Sequence, residues 1–385
     1  MRVNLRRGPV AQLATAETAI VLAGDDKQIA PPVQSVSARH HGLKKSMLVR
    51  LTDDHLSKRN GWQVVSRPRF AHASVYDAHA VSSHVTERAV QVELTVNYRS
   101  HPKLLDMPSQ LFYKGSLTSG VKPGAMSQFC QWRRLPQKGT PLLFIGVEGN
   151  DEQSVEMASF MNKREAQQVV SLVAELLVET GPSKAQEHEI AVVCAFARQT
   201  KLIREYLRKR SIFGVDVGGV ESIQGREKKV VFVSCVRARK QYMEYDQRYS
   251  LGFLFDEKKL NTALTRATSL LVVVADPYIV AEEPNWRRLL MRCIELGVYE
   301  GPDITSQAYL QSRAEQEAAA NDMEEAEIKA VAEREAREHA EAEASRRQRE
   351  AVICMNNTVP TSMGTCMHGG VGYGEYGMSR DCSRR

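Results

Sequence analysis

Short unbroken apolar runs alternate with amphipathic stretches through the middle of the chain. Val230–Cys235 and Leu270–Ala275 carry no charge and are rich in β-branched residues, the composition of strands buried on both faces of a parallel sheet. Ile190–Cys194, Pro141–Val147 and Ala19–Ala23 have a similar character. Between them, Asn162–Thr180 sets Ala166, Val169, Val170, Val173, Leu176 and Leu177 at the spacing of one buried helix face. Asn162 can cap that helix with Glu165 as its box partner, and Gly181-Pro182 stops it. Arg198–Lys209 predicts a basic helix, and Asn261–Arg266 a helix that ends in an arginine. Alternation of this kind predicts an α/β fold with a parallel sheet flanked by helices.

Polar turns stand in front of two of these strands. Gln224-Gly225-Arg226-Glu227 precedes Val230, and Asn261–Arg266 precedes Leu270. Ligands of open α/β sheets sit at strand ends, so these polar residues are candidates for a nucleotide site. Composition changes this picture little: with 43% hydrophobic and 25% charged residues in 385, it is that of an ordinary globular protein of one large domain or two modest ones. A net charge of +6 permits a nucleic-acid partner without arguing for one. Seven cysteines without a CxxC pair suggest reduced thiols and an intracellular, cytoplasmic home. No apolar run approaches a membrane span, so no membrane partner is expected. His41, His55, His72 and His79 fit no zinc spacing and read as surface, so no metal ligand is expected in this chain.

ESIQGREKKVVFVSCVR (Glu221–Arg237) and LGFLFDEKKLNTALTRA (Leu251–Ala267) resemble motifs V and VI of superfamily 1 helicases in the nonsense-mediated-decay helicase group. GDDKQIAP from Gly24 resembles motif III, and HGLKKSMLVRLTD (His41–Asp53) the helix that follows it. NYRSHP from Asn97, with Pro108-Ser109 and Phe112-Tyr113, resembles motif IV. WRRLPQKGTPLLFIGVEG from Trp132 and the segment Trp286–Gly301 narrow the likeness to the Armitage-type RNA helicases, which restrict retroviruses and transposons.

The resemblance covers residues 20–303 and implies roles by position. Gln28 reaches a phosphate and the attacking water, Tyr98 stacks on adenine, and Arg99 contacts the γ-phosphate. Gln224 and Gly225 bring backbone close to phosphate, Glu227 touches ribose, and Arg266 is an arginine finger. Ser222 and Thr265 are candidates for nucleic-acid contact. These residue types suit the chemistry: an aromatic face stacks on any base, and a guanidinium forks onto phosphate oxygens. Thr262 stands where relatives usually have valine, a near-isostere from which little effect is expected.

The family's phosphate loop, GxxxxGK[ST], and its magnesium-holding DExx motif do not precede Gly24. Asp151-Glu152-Gln153-Ser154 spells a DExx in the wrong order and reads as a solvated loop. Arg239, Lys240 and Arg248 also read as a solvated face rather than phosphate contacts. The arginine-bearing start, acid-free before Glu17, could be read as a mitochondrial presequence, but the residues after it continue the helicase pattern without a break. The expected organisation is a remnant of a first RecA-like domain and a crossover segment over 1–90, then a second RecA-like domain over 91–303. A charged solvated helix follows over 304–350, with pairs such as Glu325–Lys329, Glu333–Arg337 and Glu343–Arg347. A disordered tail is expected over 351–385, where GGVGYGEYG faintly echoes RNA-binding low-complexity segments.

The resemblance therefore implies the C-terminal part of an ATP-dependent RNA helicase that moves on single-stranded RNA, with ATP and Mg2+ as cofactors and RNA-silencing or RNA-decay proteins as partners. Without phosphate loop and DExx, this chain alone is expected to lack ATPase activity. The alternatives are a non-catalytic RNA- or protein-binding module and a DNA helicase of replication or repair.

Overall fold

The computed structural model describes residues 23–30, 33, 35–53, 64–67, 91–153, 159–249 and 251–356. The chain divides into two compact units, Met1–Ala318 and Ala319–Arg385. The first unit opens with α1 (Val36–His40), α2 (Met47–Asp53), the parallel pair β1 (Val64–Arg67) and β2 (Gln91–Leu94), β3 (Val96–Asn97), α3 (Pro102–Phe112) and β4 (Thr118–Ser119). It continues with β5 (Leu142–Gly146), β6 (Asp151–Gln153), β7 (Phe160–Asn162), α4 (Lys163–Val178), β8 (Ile190–Cys194), α5 (Ala197–Lys209) and β9 (Asp216–Gly218). Then come β10 (Lys228–Ser234), α6 (Met243–Tyr249), α7 (Glu257–Leu264), β11 (Ala267–Ala275), α8 (Pro277–Val280), α9 (Pro284–Glu295) and β12 (Tyr299–Glu300).

A parallel sheet in the order β12-β5-β11-β10-β8-β9 is the frame. Side chains alternate along each strand, so the sheet feeds two cores. Phe144, Val231, Val233, Leu271 and Val273 pack with Leu104, Leu260, Trp286 and Leu289 from α3, α7 and α9. Leu143, Val192, Val230, Phe232 and Val272 pack on the other face with Val169, Val173 and Leu176 of α4 and Leu202 and Ile203 of α5. Each such side chain, taken fully out of water, contributes about 1.5–3 kcal/mol before the entropy cost of ordering it. This is the expected architecture, a parallel sheet with helices on both faces.

Three expectations need correction. Asn162 caps α4 by accepting from the Glu165 N–H at 3.1 Å, but Glu165 does not complete a capping box. Its fully buried carboxyl faces the sheet instead, taking the Val236 N–H and the Ser234 hydroxyl. Asp151 is not in a solvated loop. It lies in β6, antiparallel to β7, buried against Arg237 at 2.8 Å and Arg239 at 3.2 Å. Arg239 and Lys240 are correspondingly not a solvated face, Lys240 being paired with Glu282 at 2.7 Å.

The charged helix, α10, runs Gln307–Asn356, so residues 351–356 are helical where a tail was expected. Helix-forming Ala, Arg and Glu carry the pattern to Ala351, and Arg347 pairs with Glu343 at 3.3 Å. The tail beyond Asn356, the strand expected at Ala19–Ala23 except Ala23 itself, and His55, His72 and His79 lie outside the described residues. His41 is exposed. Among the described residues, no helix is long and apolar enough to cross a membrane.

Candidate functional site

The strands β10 and β11 start side by side, Lys228 opposite Ala267, which brings the polar turns before them together at the amino edge of the sheet. The Lys228 N–H donates to the Arg266 carbonyl at 3.1 Å. The loop from β3 to α3 is pinned to the same edge. Its His101 N–H donates to Thr268 O at 2.8 Å and its Ser100 hydroxyl to Ala267 O at 3.0 Å. Asn97 Oδ1 takes the N–H groups of Arg99 and Ser100, both at 2.9 Å, closing an Asx turn that aims Arg99. Arg99 forms an ion pair with Glu227 from the turn before β10.

Arg266 lies just past the end of α7, with Thr265 as the cap, and is only 4% exposed. Its guanidinium donates to Thr262 O at 3.1 Å, Arg226 O at 3.3 Å, Thr265 Oγ1 at 3.3 Å and Gln28 Oε1 at 3.0 Å. Burial, then the nearby Arg99 cation, lowers its pKa from the ordinary guanidinium value. The structure thus brings Gln28, Arg99, Glu227 and Arg266 into one cluster. Tyr98, 67% exposed, stands beside them in the chain, its ring over Gly120, where a Cβ would collide with it. Gln224 and Gly225 form the exposed turn, with Gly225 at φ 75°, a conformation that glycine adopts without strain. The Thr265 hydroxyl bonds back to Asn261 O at 2.8 Å, which sets it with the arginine cluster.

Ser222 falls elsewhere. Its hydroxyl donates to Gly219 O at 2.7 Å, and it lines a groove of about 600 Å³ at the carboxyl ends of β8 and β9. Lys201, Arg204 and Arg208 project from α5 along this groove, and Ala195, Phe196 and Ala197 form the entrance to that helix. A helix N-terminus with cations on its flank favours an anionic chain.

Several contributors escaped the sequence reading. Asp25 accepts from the Tyr113 hydroxyl at 2.5 Å and from Gln28 Nε2 at 2.7 Å, and Asn261 Nδ2 donates to Tyr113 Oη and Lys27 O, both at 2.9 Å. Thr262 is no inert stand-in for valine, because its Oγ1 takes the Ile29 N–H at 3.2 Å. At the carboxyl edge, Val236 sits at φ 75° with its N–H held by Glu165 and its carbonyl by Asn162 Nδ2 at 3.2 Å. Beside it Arg237 is buried under the rings of Phe160, Phe196 and Tyr242. Of these, Asp25, Tyr113, Asn261 and Thr262 lie inside the motifs and the Asn162–Glu165 spacing points to a cap, but the remote partners of these side chains leave no signal in sequence.

Residues 76–278 match a protein-family model described as an AAA domain. The chain is 37% identical over 309 residues to the mov-10-B.2 protein of Danio rerio, covering 77% of this chain and 28% of that one. It is 34% identical over 297 residues to RNA helicase Mov10l1 of Mus musculus, covering 77% and 23%. It is 26% identical over 307 residues to the Drosophila melanogaster protein described as "Probable RNA helicase armi", covering 77% and 24%. The chain therefore spans about a quarter of the length of these curated relatives.

Proposed function

Because the chain belongs to the superfamily 1 RNA helicases of the nonsense-mediated-decay-helicase-like group, matching their C-terminal portion, we propose that it supplies the cationic lobe of an ATP-driven motor on single-stranded RNA. The observation that carries this reading is the convergence of Gln28, Arg99, Glu227 and Arg266 at the amino ends of β10 and β11. Two guanidiniums beside an exposed aromatic ring fit a nucleoside triphosphate. Tyr98 stacks on the base, Glu227 takes the ribose, Gln224 and Gly225 lie along the phosphates, and Arg99 and Arg266 meet the γ-phosphoryl group. A cation there stabilises the charge that builds up as the phosphoryl group transfers. The Arg99–Glu227 pair is exposed, so exchanging it for phosphate and ribose costs about 1 kcal/mol or less.

The Mg2+ that accompanies ATP is assigned, by the resemblance, to the family's DExx motif, which does not precede Gly24 in this sequence. The groove beside Ser222 is the proposed path of the RNA, through phosphate contacts from Lys201, Arg204 and Arg208 of α5. The proposed setting is RNA silencing or decay in the cytoplasm. By itself the chain holds no phosphate loop and is not expected to turn over ATP.

A chimera tests this. The chain replaces the matching C-terminal part of Danio rerio mov-10-B.2, and ATPase is measured with single-stranded RNA or DNA. RNA-stimulated turnover is expected, and Arg266→Ala should lower it roughly 10³-fold or more. Undiminished turnover in that variant rejects the assigned role, and stimulation by DNA alone selects a DNA helicase.

A further inference from the structure

We infer that Thr262 is a positioning residue whose hydroxyl ties the Asp25–Ile29 segment to α7 and so keeps Gln28 seated on Arg266. Thr262 is fully buried and touches both partners. Its hydroxyl hydrogen goes to Lys258 O at 2.7 Å, which leaves an Oγ1 lone pair for the Ile29 N–H at 3.2 Å. Its backbone carbonyl receives Arg266 Nε at 3.1 Å. Ile29 follows Gln28, whose Oε1 takes Arg266 Nη2 at 3.0 Å. One residue therefore brackets the glutamine and the arginine from the same turn of helix.

The segment has other holds on this region, through Asn261 Nδ2 to Lys27 O at 2.9 Å and through Asp25, which takes the Tyr113 hydroxyl at 2.5 Å and Gln28 Nε2 at 2.7 Å. Asn261 fixes the residue before Gln28, and the Thr262 hydroxyl fixes the residue after it. With it made, Gln28 Oε1 fills a donor position on the guanidinium that an incoming phosphate oxygen has to take over. Valine has nearly the same shape but no acceptor, so Thr262→Val removes the bond and keeps the packing.

The full 385-residue chain serves for the test. Phenylglyoxal labelling of Arg266 and amide exchange at Ile29 are followed by mass spectrometry in wild type, Thr262→Val and Thr262→Ser. Thr262→Val is expected to speed both about 2- to 10-fold, the range for one net hydrogen bond. Thr262→Ser should match wild type, and exchange along Val231–Val233 should not change in either variant. Wild-type rates in Thr262→Val, or valine-like rates in Thr262→Ser, overturn the assignment. That the freed guanidinium then meets a polyphosphate rests on the function proposed above, and sodium tripolyphosphate separates the two. Its protection of Arg266 from label, stronger in Thr262→Val, supports both ideas. No protection, with the variant still faster, rejects the nucleotide reading and upholds the tether.

Discussion

Replacing Arg237 by methionine isolates the buried charge network at the carboxyl edge of the sheet. Arg237 is 1% exposed and grips Asp246 through Nε and Nη2, both at 2.6 Å, and Asp151 through Nη1 at 2.8 Å. Its guanidinium lies 3.7 Å from the centre of the Phe160 ring. Methionine keeps much of the aliphatic stem and removes the cation. Arg239 still holds Asp151, but Asp246 loses the partner described for it. Stranding a buried carboxylate in this way costs about 3–5 kcal/mol, a large share of the roughly 5–15 kcal/mol that keeps a domain folded. The sign of the pH dependence follows. Burial holds the Asp246 carboxyl above its usual range even with Arg237 opposing it, and without Arg237 it rises further. An acid whose folded pKa is raised stabilises the fold fully at low pH and loses that contribution as pH rises through the folded value. The deficit of Arg237→Met should therefore shrink between pH 7 and pH 5. Urea unfolding at the two pH values reads it as a midpoint shift at constant slope. A variant within about 1 kcal/mol of wild type at pH 7, or a deficit equal at both pH values, refutes the reasoning.

Two further outcomes are expected. Glu165, pushed up to about 8 by burial, keeps its proton in the folded state far above the unfolded carboxylate value of ~4.3, so its contribution to stability is lost as pH rises from there through about 8. Glu165→Gln keeps the acceptor for Val236 and should flatten part of that decline in thermal melts between pH 5 and 8, while Asp276, raised to about 7, and Asp246, also raised, still contribute; an unaltered slope counts against a neutral Glu165. Lys201→Met should weaken binding of a fluorescent oligouridylate and lower the log–log salt slope by ~0.7, as expected for one lost phosphate contact on a single strand, and an unchanged slope places the strand elsewhere.

The frame of the molecule was legible because its strands are buried on both faces and so are uniformly apolar. Ile190–Cys194 has the predicted bounds, and α4 and α5 start within one residue of theirs. β11 begins at Ala267 rather than Leu270, because Thr268 and Ser269 look polar in sequence yet are buried in the sheet. β9 and β12, of three and two residues, are too short to leave a period. The buried charges were illegible for a different reason. Charge reads as exposure unless its partner is known, and the partners here are remote: Asp151 lies 86 residues from Arg237, and Glu165 lies 71 from Val236. The same holds for Thr262, whose partner Ile29 is 233 residues away. Local pattern reveals what packs; it does not reveal which polar atoms will meet across the fold.

That distinction bears on what joins the groove to the arginine cluster. They lie at opposite edges of one sheet, and the stretch from Gly218 to Lys228 runs from the end of β9 to the start of β10. Its first half is rigid. Val220 and Ile223 are buried in the core, Glu221 pairs with Lys259 of α7 at 3.0 Å, and a Cβ on Gly218 would lie 2.0 Å from Ser222 Oγ. Its second half is held at Arg226, whose carbonyl takes Arg266 Nη1 at 3.3 Å. Gly225 is exposed at φ 75° with nothing within 4 Å of where a Cβ would stand, and Glu227 is tied to Arg99 by an exposed ion pair. A strand that presses on Ser222 meets a turn braced against α7, the helix that leads into Arg266. A triphosphate that takes Arg99 from Glu227 releases the other end of the same turn. On the function proposed above, RNA and a triphosphate would each meet one end of this segment, which is the differential contact that coupling between two sites requires.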